Sequence, residues 1–165
     1  MEENNTDSYF SFNLANGMFS VPIAFVQEVF EYKTITVVPN SMPYLKGVMN
    51  VRGGVVPIAD LRCLFSFKAD DDLNGTSIIV LEIPQKTGKS LQLGIIADSV
   101  DVVSTLNFIP AESTNYGIPE DKKNFIQSVA RRGDDFILVL DVPAIMSFIE
   151  TDVSRTETVN IEDLK

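Results

Sequence analysis

Four short segments carry residue types at spacings that chemistry uses. Asp70-Asp71-Asp72-Leu73-Asn74-Gly75 reproduces the first half of a calcium loop, where side-chain oxygens at alternate positions and a glycine at the sixth wrap the ion. The twelfth position, which needs a bidentate glutamate, is Leu81, and the flanks read as strands rather than helices, so a solvated linker is expected. Gly88-Lys89-Ser90 copies the end of a phosphate-binding loop, but Ile83 stands where the first glycine belongs and a strand-like segment follows. Without that glycine and a helix N-terminus, backbone amides cannot cradle phosphate, and a hairpin turn is expected. Asn4-Asn5-Thr6 and Asn74-Gly75-Thr76 fit the glycosylation pattern, which has meaning only in a secreted chain.

Acid–base chemistry would have to come from carboxylates such as Glu28, Glu31, Asp60, Asp98 and Asp101, paired as in glycosidases. The chain contains no histidine, which removes imidazole triads, His-ligated zinc and a phosphoaccepting histidine. It also lacks tryptophan, whereas substrate-binding chains usually carry more aromatic and amide residues around such a pair. A carboxylate beside apolar strand residues then reads as a turn former or ion-pair partner, and neither catalysis nor a cofactor is expected. Cys63 stands alone, which excludes an intrachain disulfide and suits a reducing compartment. Thirteen basic against 23 acidic residues leave a net charge of −10, which repels nucleic-acid phosphate and anionic lipid. No apolar run reaches the ~18 residues of a membrane span, and the start is acidic, so a cytoplasmic protein without membrane insertion is expected.

The elements that would position these residues are mostly strands. Phe10, Phe12 and Leu14 alternate with Ser11 and Asn13, Asn16-Gly17 offers a hairpin turn, and Phe19, Val21 and Ile23 return on one face. Val48–Val51 and Val55–Ile58 flank Gly53-Gly54, and Ile78–Ile83, Leu91–Ile96 and Ile137–Leu140 follow. Asp141 and Pro143 start a short helix with Ile145, Phe148 and Ile149 on one face. Laid on itself so that Gly17 meets Gly88, Val29 meets Val100 and Pro39 meets Pro110, the chain shows a weak echo, readable as duplication or as chance. The predicted architecture is two small β units in tandem, dividing near 69–75, between flexible tails at 1–7 and 151–165.

One longer segment is specific. Tyr44-Leu45-Lys46-Gly47-Val48-Met49-Asn50-Val51-Arg52-Gly53-Gly54-Val55-Val56-Pro57-Ile58-Ala59-Asp60-Leu61 resembles, without a gap, the pattern [IFY]-x-K-G-[VI]-x-N-x-R-G-x-[VI]-[VI]-P-[VI]-x-D-L of the CheW family of bacterial chemotaxis coupling proteins. Val26-Gln27-Glu28-Val29 and Gly94-Ile95-Ile96-Ala97-Asp98-Ser99-Val100 are similar to two further stretches of the family, and the likeness spans about residues 8–150. Ser128 departs from a frequent glycine, and 113–123 follow no pattern. The resemblance implies two five-stranded β-barrels around a shared apolar seam, with a short C-terminal helix. It implies a non-catalytic adaptor that joins the histidine kinase CheA, through its regulatory domain, to the cytoplasmic tips of methyl-accepting chemoreceptors. In such arrays it would meet other CheW copies.

Under that resemblance Arg52, Val26, Glu28 and Val29 are candidates for receptor binding. Val26 and Val29 form either an apolar edge for a receptor helix or part of the core. Arg52 interrupts an apolar run, where a charge must snorkel, pair or face a partner, and an ion pair with Asp60 or Glu28 is the alternative to receptor contact. Val100, Val102, Val103 and Leu106 are candidates for the kinase contact, or simply core. Lys46, Gly47, Asn50, Gly53, Pro57 and Asp60 are expected to shape the segment rather than touch a partner. Two other classes compete: an RNA-binding barrel, which would want basic and aromatic residues on one sheet, and a small enzyme with two convergent acids.

Overall fold

The computed structural model describes residues 8–39, 41–67, 72–84, 88, 90–109 and 124–150. The expected tails at 1–7 and 151–165, Asp70 and Asp71 of the aspartate run, and the loop 113–123 lie outside the described residues. The chain runs β1 (Tyr9–Leu14), β2 (Gly17–Pro22), a 3-10 turn (Ile23–Phe25), β3 (Val26–Glu31), β4 (Leu45–Val51) and β5 (Gly54–Ala59). A short helix α1 (Leu61–Leu64) leads to β6 (Ser77–Pro84), β7 (Ser90–Ala97), β8 (Ser99–Ser104), β9 (Asn107–Phe108), β10 (Ile126–Arg132) and β11 (Asp135–Leu140). Helix α2 covers 142–150. Among the described residues no helix is long and apolar enough to cross a membrane.

The strands form two sheets, the first in the order β3-β6-β7-β5-β4 and the second in the order β8-β1-β2-β11-β10-β9. Both sheets draw strands from either side of residues 69–75, where the tandem division was expected. Those residues lie between α1 and β6, inside the stretch that builds the first sheet. The two sheets instead exchange a strand: β3 follows the β1–β2 hairpin but pairs with β6, and β8 follows the β6–β7 hairpin but pairs with β1. Apolar alternation dictates which face of a strand is buried, not which sheet edge it completes.

The sequence echo proves to be a repeat of architecture. In both sheets an antiparallel hairpin makes a parallel contact, β2 with β11 and β7 with β5, to the second strand of another hairpin. That other hairpin bulges in both, between Leu45 and Gly47 and between Ile126 and Ser128. The Asp60 amide donates to the Tyr44 carbonyl (2.7 Å) as the Asp141 amide donates to that of Phe125 (2.8 Å). Both aspartates cap a helix: Asp60 Oδ1 accepts from the Arg62 amide and Asp141 Oδ1 from the Ala144 amide, each at 3.0 Å.

One face of each sheet meets the other in a common core. Phe12, Leu14, Phe19 and Val21 pack with Leu81, Leu93, Ile95 and Ala97, and Ile145 and Ile149 of α2 close the end. Each such burial stabilises by roughly 1.5–3 kcal/mol. On its other face the first sheet buries Val56, Ile58, Ile78, Val80 and Ile96. The second differs there, because Ser11 and Ser20 are buried with their hydroxyls 3.4 Å apart; alternation had placed Ser11 toward water. Three further expectations shift. Ile23 has left the strand face for the 3-10 turn and is exposed, and Phe148 is 39% exposed on α2. Leu14 opposes Gly17, so the first turn is Ala15-Asn16, with Ala15 at φ 55°, rather than Asn16-Gly17.

Candidate interaction surface at the Arg52 turn

Val51 opposes Gly54, which leaves Arg52 and Gly53 as a two-residue hairpin turn with φ 53° and 86°. Positive φ at both positions suits the twist of the flanking strands. Asn50 Oδ1 accepts from the Gly53 amide at 3.1 Å and steadies the turn. Gly53 adopts this conformation freely, whereas an arginine there costs about 1 kcal/mol. Arg52 therefore lies in the turn and does not interrupt the strand, as the apolar run had suggested.

From that position the side chain, 70% exposed, reaches β3 at the opposite end of the first sheet. Its Nε and Nη2 donate to Glu28 Oε1 at 3.1 and 2.8 Å. Of the two partners weighed from the sequence, Glu28 is the one it meets; Asp60 is bound to Arg62. An exposed pair of this kind contributes at most about 1 kcal/mol. Beside it is a depression of about 400 Å³ whose lining includes Val29, Phe30, Lys33, Met49 and Asn50. Lys33 Nζ sits 5.1 Å from the centre of the Phe30 ring. Val29 is 37% exposed, but Val26, at a bulge in β3, is half-buried against the common core. The structure thus joins Arg52, Glu28, Val29 and Asn50 and leaves Val26 out.

The remaining candidates have separate places. Lys46 is half-buried on β4. A Cβ on Gly47 would stand 2.2 Å from the Thr36 carbonyl oxygen, because Thr36 and Val48 exchange backbone hydrogen bonds there. Pro57 lies within β5 just before pairing with β7 begins at Ile58, so its missing N–H breaks no ladder. Of the kinase-facing candidates, Val100 is 40% exposed on β8 and Leu106 is half-buried. The side chains of Val102 and Val103 lie outside the described residues.

Four of the five acids considered for catalysis are held by arginines. Glu28 pairs with Arg52, Asp60 and Asp98 with Arg62 (2.9 and 2.7 Å), and Asp101 with Arg132 (2.5 Å). Glu31 is exposed. Asp72 Oδ1 accepts from the Asn74 amide at 3.0 Å, a local turn, and β7 begins at Ser90, so no helix follows Gly88. Sequence reasoning missed Arg62, which is 2% exposed. Its hydrogen bonds to Asp60, aided by the charges of Asp60 and Asp98, raise its pKa above the ordinary value against the cost of burial. An arginine two residues after an aspartate cap was the only local hint.

Two curled β-sheets locked by exchanged strands, with acids neutralised internally and an arginine turned outward, define a β-rich binding scaffold. The chain belongs to the CheW family: the family model described as CheW-like domain matches residues 8–150. It is 27% identical over 136 residues to the chemotaxis protein CheW of Klebsiella aerogenes, covering 82% of this chain and 79% of that protein. With the chemotaxis protein CheW of Bacillus subtilis it shares 25% identity over 134 residues, covering 81% and 83%. Its fold matches the crystal structure of the scaffolding protein TtCheW from Thermoanaerobacter tengcongensis with a TM-score of 0.66 at 24% identity, covering 82% and 88%. The family consists of non-catalytic scaffold adaptors of chemotaxis.

Proposed function

We propose that this chain couples chemoreceptors to the histidine kinase CheA, and that the Arg52 turn with Glu28 and Val29 contacts the receptor tip. One observation carries the placement. Arg52 occupies a left-handed position where the equivalent turn of the second sheet, Gly133-Asp134, uses glycine at φ 63°. The fold accepts glycine at such a corner, so what the arginine adds is its side chain, which is exposed, aimed by Glu28 and set beside a depression that Val29, Phe30 and Met49 help to line. A receptor helix would lay its apolar side there and offer an acceptor to the guanidinium. The kinase contact rests on family membership, with Val100 as its outward candidate. Recruitment to receptor arrays follows from the same reading.

Co-sedimentation with CheA and membranes carrying receptors, with this protein as the only variable, tests the reading. The wild-type chain is expected to bring the kinase down and raise its activity. Arg52→Ala is expected to fold normally and lose most of that activation. Failure of the wild-type chain to bind either partner would end the adaptor reading, and full activation by the variant would move the receptor contact elsewhere.

A further inference from the structure

The two crossovers between the sheets are built differently. From β2 to β3 the chain passes through the 3-10 turn Ile23–Phe25, and the Ile23 amide donates to the Ser8 carbonyl at 2.9 Å. From β7 to β8 the crossover is Asp98 alone, and four hydrogen bonds gather there, three of them made by Asp98 itself. Arg62 Nη1, from α1 beside the first sheet, donates to Asp98 Oδ1 at 2.7 Å. The Ala15 amide, in the second sheet's hairpin turn, donates to Asp98 Oδ2 at 2.6 Å. The Asp98 amide donates to the Asn13 carbonyl at 2.9 Å, and Asn13 Nδ2 to Ser99 Oγ at 2.7 Å. Arg62 is itself fixed by Asp60, whose oxygens accept from Nε and Nη2 at 2.9 Å each.

We infer that Arg62 and Asp98 are positioning residues that set the orientation of one sheet against the other. The chain Asp60–Arg62–Asp98–Ala15 runs from the first sheet to the second through charge-assisted bonds, which hold direction as well as distance. It also holds Ala15 in a left-handed conformation that alanine disfavours (φ 55°), so the turn is shaped by the clamp rather than by its own residues. The corresponding position after the second cap, Asp141, is Pro143, which carries no such group. One crossover is therefore a fixed joint, and the other follows it.

The consequence rests on the adaptor reading: partners held on different faces are kept in register by this joint. Spin labels at Val55 and Asp134, both exposed and on different sheets, in a Cys63→Ser background, report the joint directly by dipolar distance measurement on the isolated protein. A single narrow distance is expected for the parent, and a distribution several-fold broader for Asp98→Ala, with β-sheet circular dichroism retained. Ala15→Gly, which keeps the amide donor, is expected to stay narrow. Asp98→Asn replaces Asp98→Ala if the latter does not fold, and a narrow distribution in the folded variant overturns the inference. In three-way co-sedimentation the same variant is expected to carry down less kinase while binding receptor membranes alone as the parent does; undiminished kinase recovery overturns the register role. If the parent itself binds no partner, the adaptor reading falls, and the distances still decide the joint.

Discussion

The Arg52 and Gly133 turns stand at equivalent corners of two sheets whose five corresponding strands follow the same order, and each lies beside an ion pair linking distant strands. In the second sheet Arg132, in the strand just before the turn, meets Asp101 of β8, and both side chains are about one-third exposed (36% and 32%). In the first, the arginine has moved into the turn itself, accepts a disfavoured φ, and stands 70% exposed over Glu28. Closing a curled sheet requires only the first arrangement. The second gives up backbone stability to present a guanidinium outward, and that difference is the ground for proposing a binding role for one ion pair and not for the other. The helix caps repeat the contrast, since Asp60 is followed by the buried, doubly paired Arg62 and Asp141 by Pro143 and no charge.

The largest expected effect tests the cap contrast. Arg62→Ala leaves Asp60 buried without its partner and Asp98 without one of its donors, and should cost about 3–5 kcal/mol in urea unfolding. A loss below about 1 kcal/mol, the value of an exposed pair, would show that water replaces the guanidinium and that the two caps are energetically alike. Next comes the bulge. Gly47→Ser copies Ser128 of the second sheet into the first, yet its Cβ would collide with the Thr36 carbonyl. In the second sheet the Ile109 amide donates to the Val129 carbonyl at 2.9 Å, and pairing with β9 continues at Ala130 and Arg131. A destabilisation of about 2–3 kcal/mol is expected from the clash and the backbone strain together. A neutral result would mean that the Thr36 segment gives way and that the bulges are interchangeable.

These pairs also show what the amino-acid order reveals. The alternation of Phe12, Leu14, Phe19 and Val21 located the first hairpin, and Gly53-Gly54 between two apolar runs placed the second turn to within one residue, because both signals are local. The first turn was misread by one residue because Asn16-Gly17 is the stronger turn sequence, while Asp98, far along the chain, holds Ala15 in the conformation glycine would prefer. Strand exchange left no local trace, since β3 and β8 look alike whichever edge they complete. Glu28 was named as a partner of Arg52 before its geometry was known, but as one of two acids, and Val26 and Val29 read alike until a bulge turned them apart. Arg62 and Asp98 meet only because α1 folds under the crossover.

The smallest change in stability carries the most information about function. Arg52→Gly makes the first sheet's corner like the second's. It relieves about 1 kcal/mol of left-handed strain and removes an exposed ion pair worth at most about as much, so the unfolding free energy should stay within about 1 kcal/mol of the parent. Receptor-dependent kinase activation should nevertheless fall at least as far as with Arg52→Ala, because the guanidinium is gone in both. The pair of substitutions separates two causes, since alanine keeps the strain and glycine removes it. Equal losses of activation at different stabilities would tie coupling to the side chain. Activation that recovers in the glycine variant would instead make the shape of the turn the determinant and reduce Arg52 to a structural ion pair like Arg132.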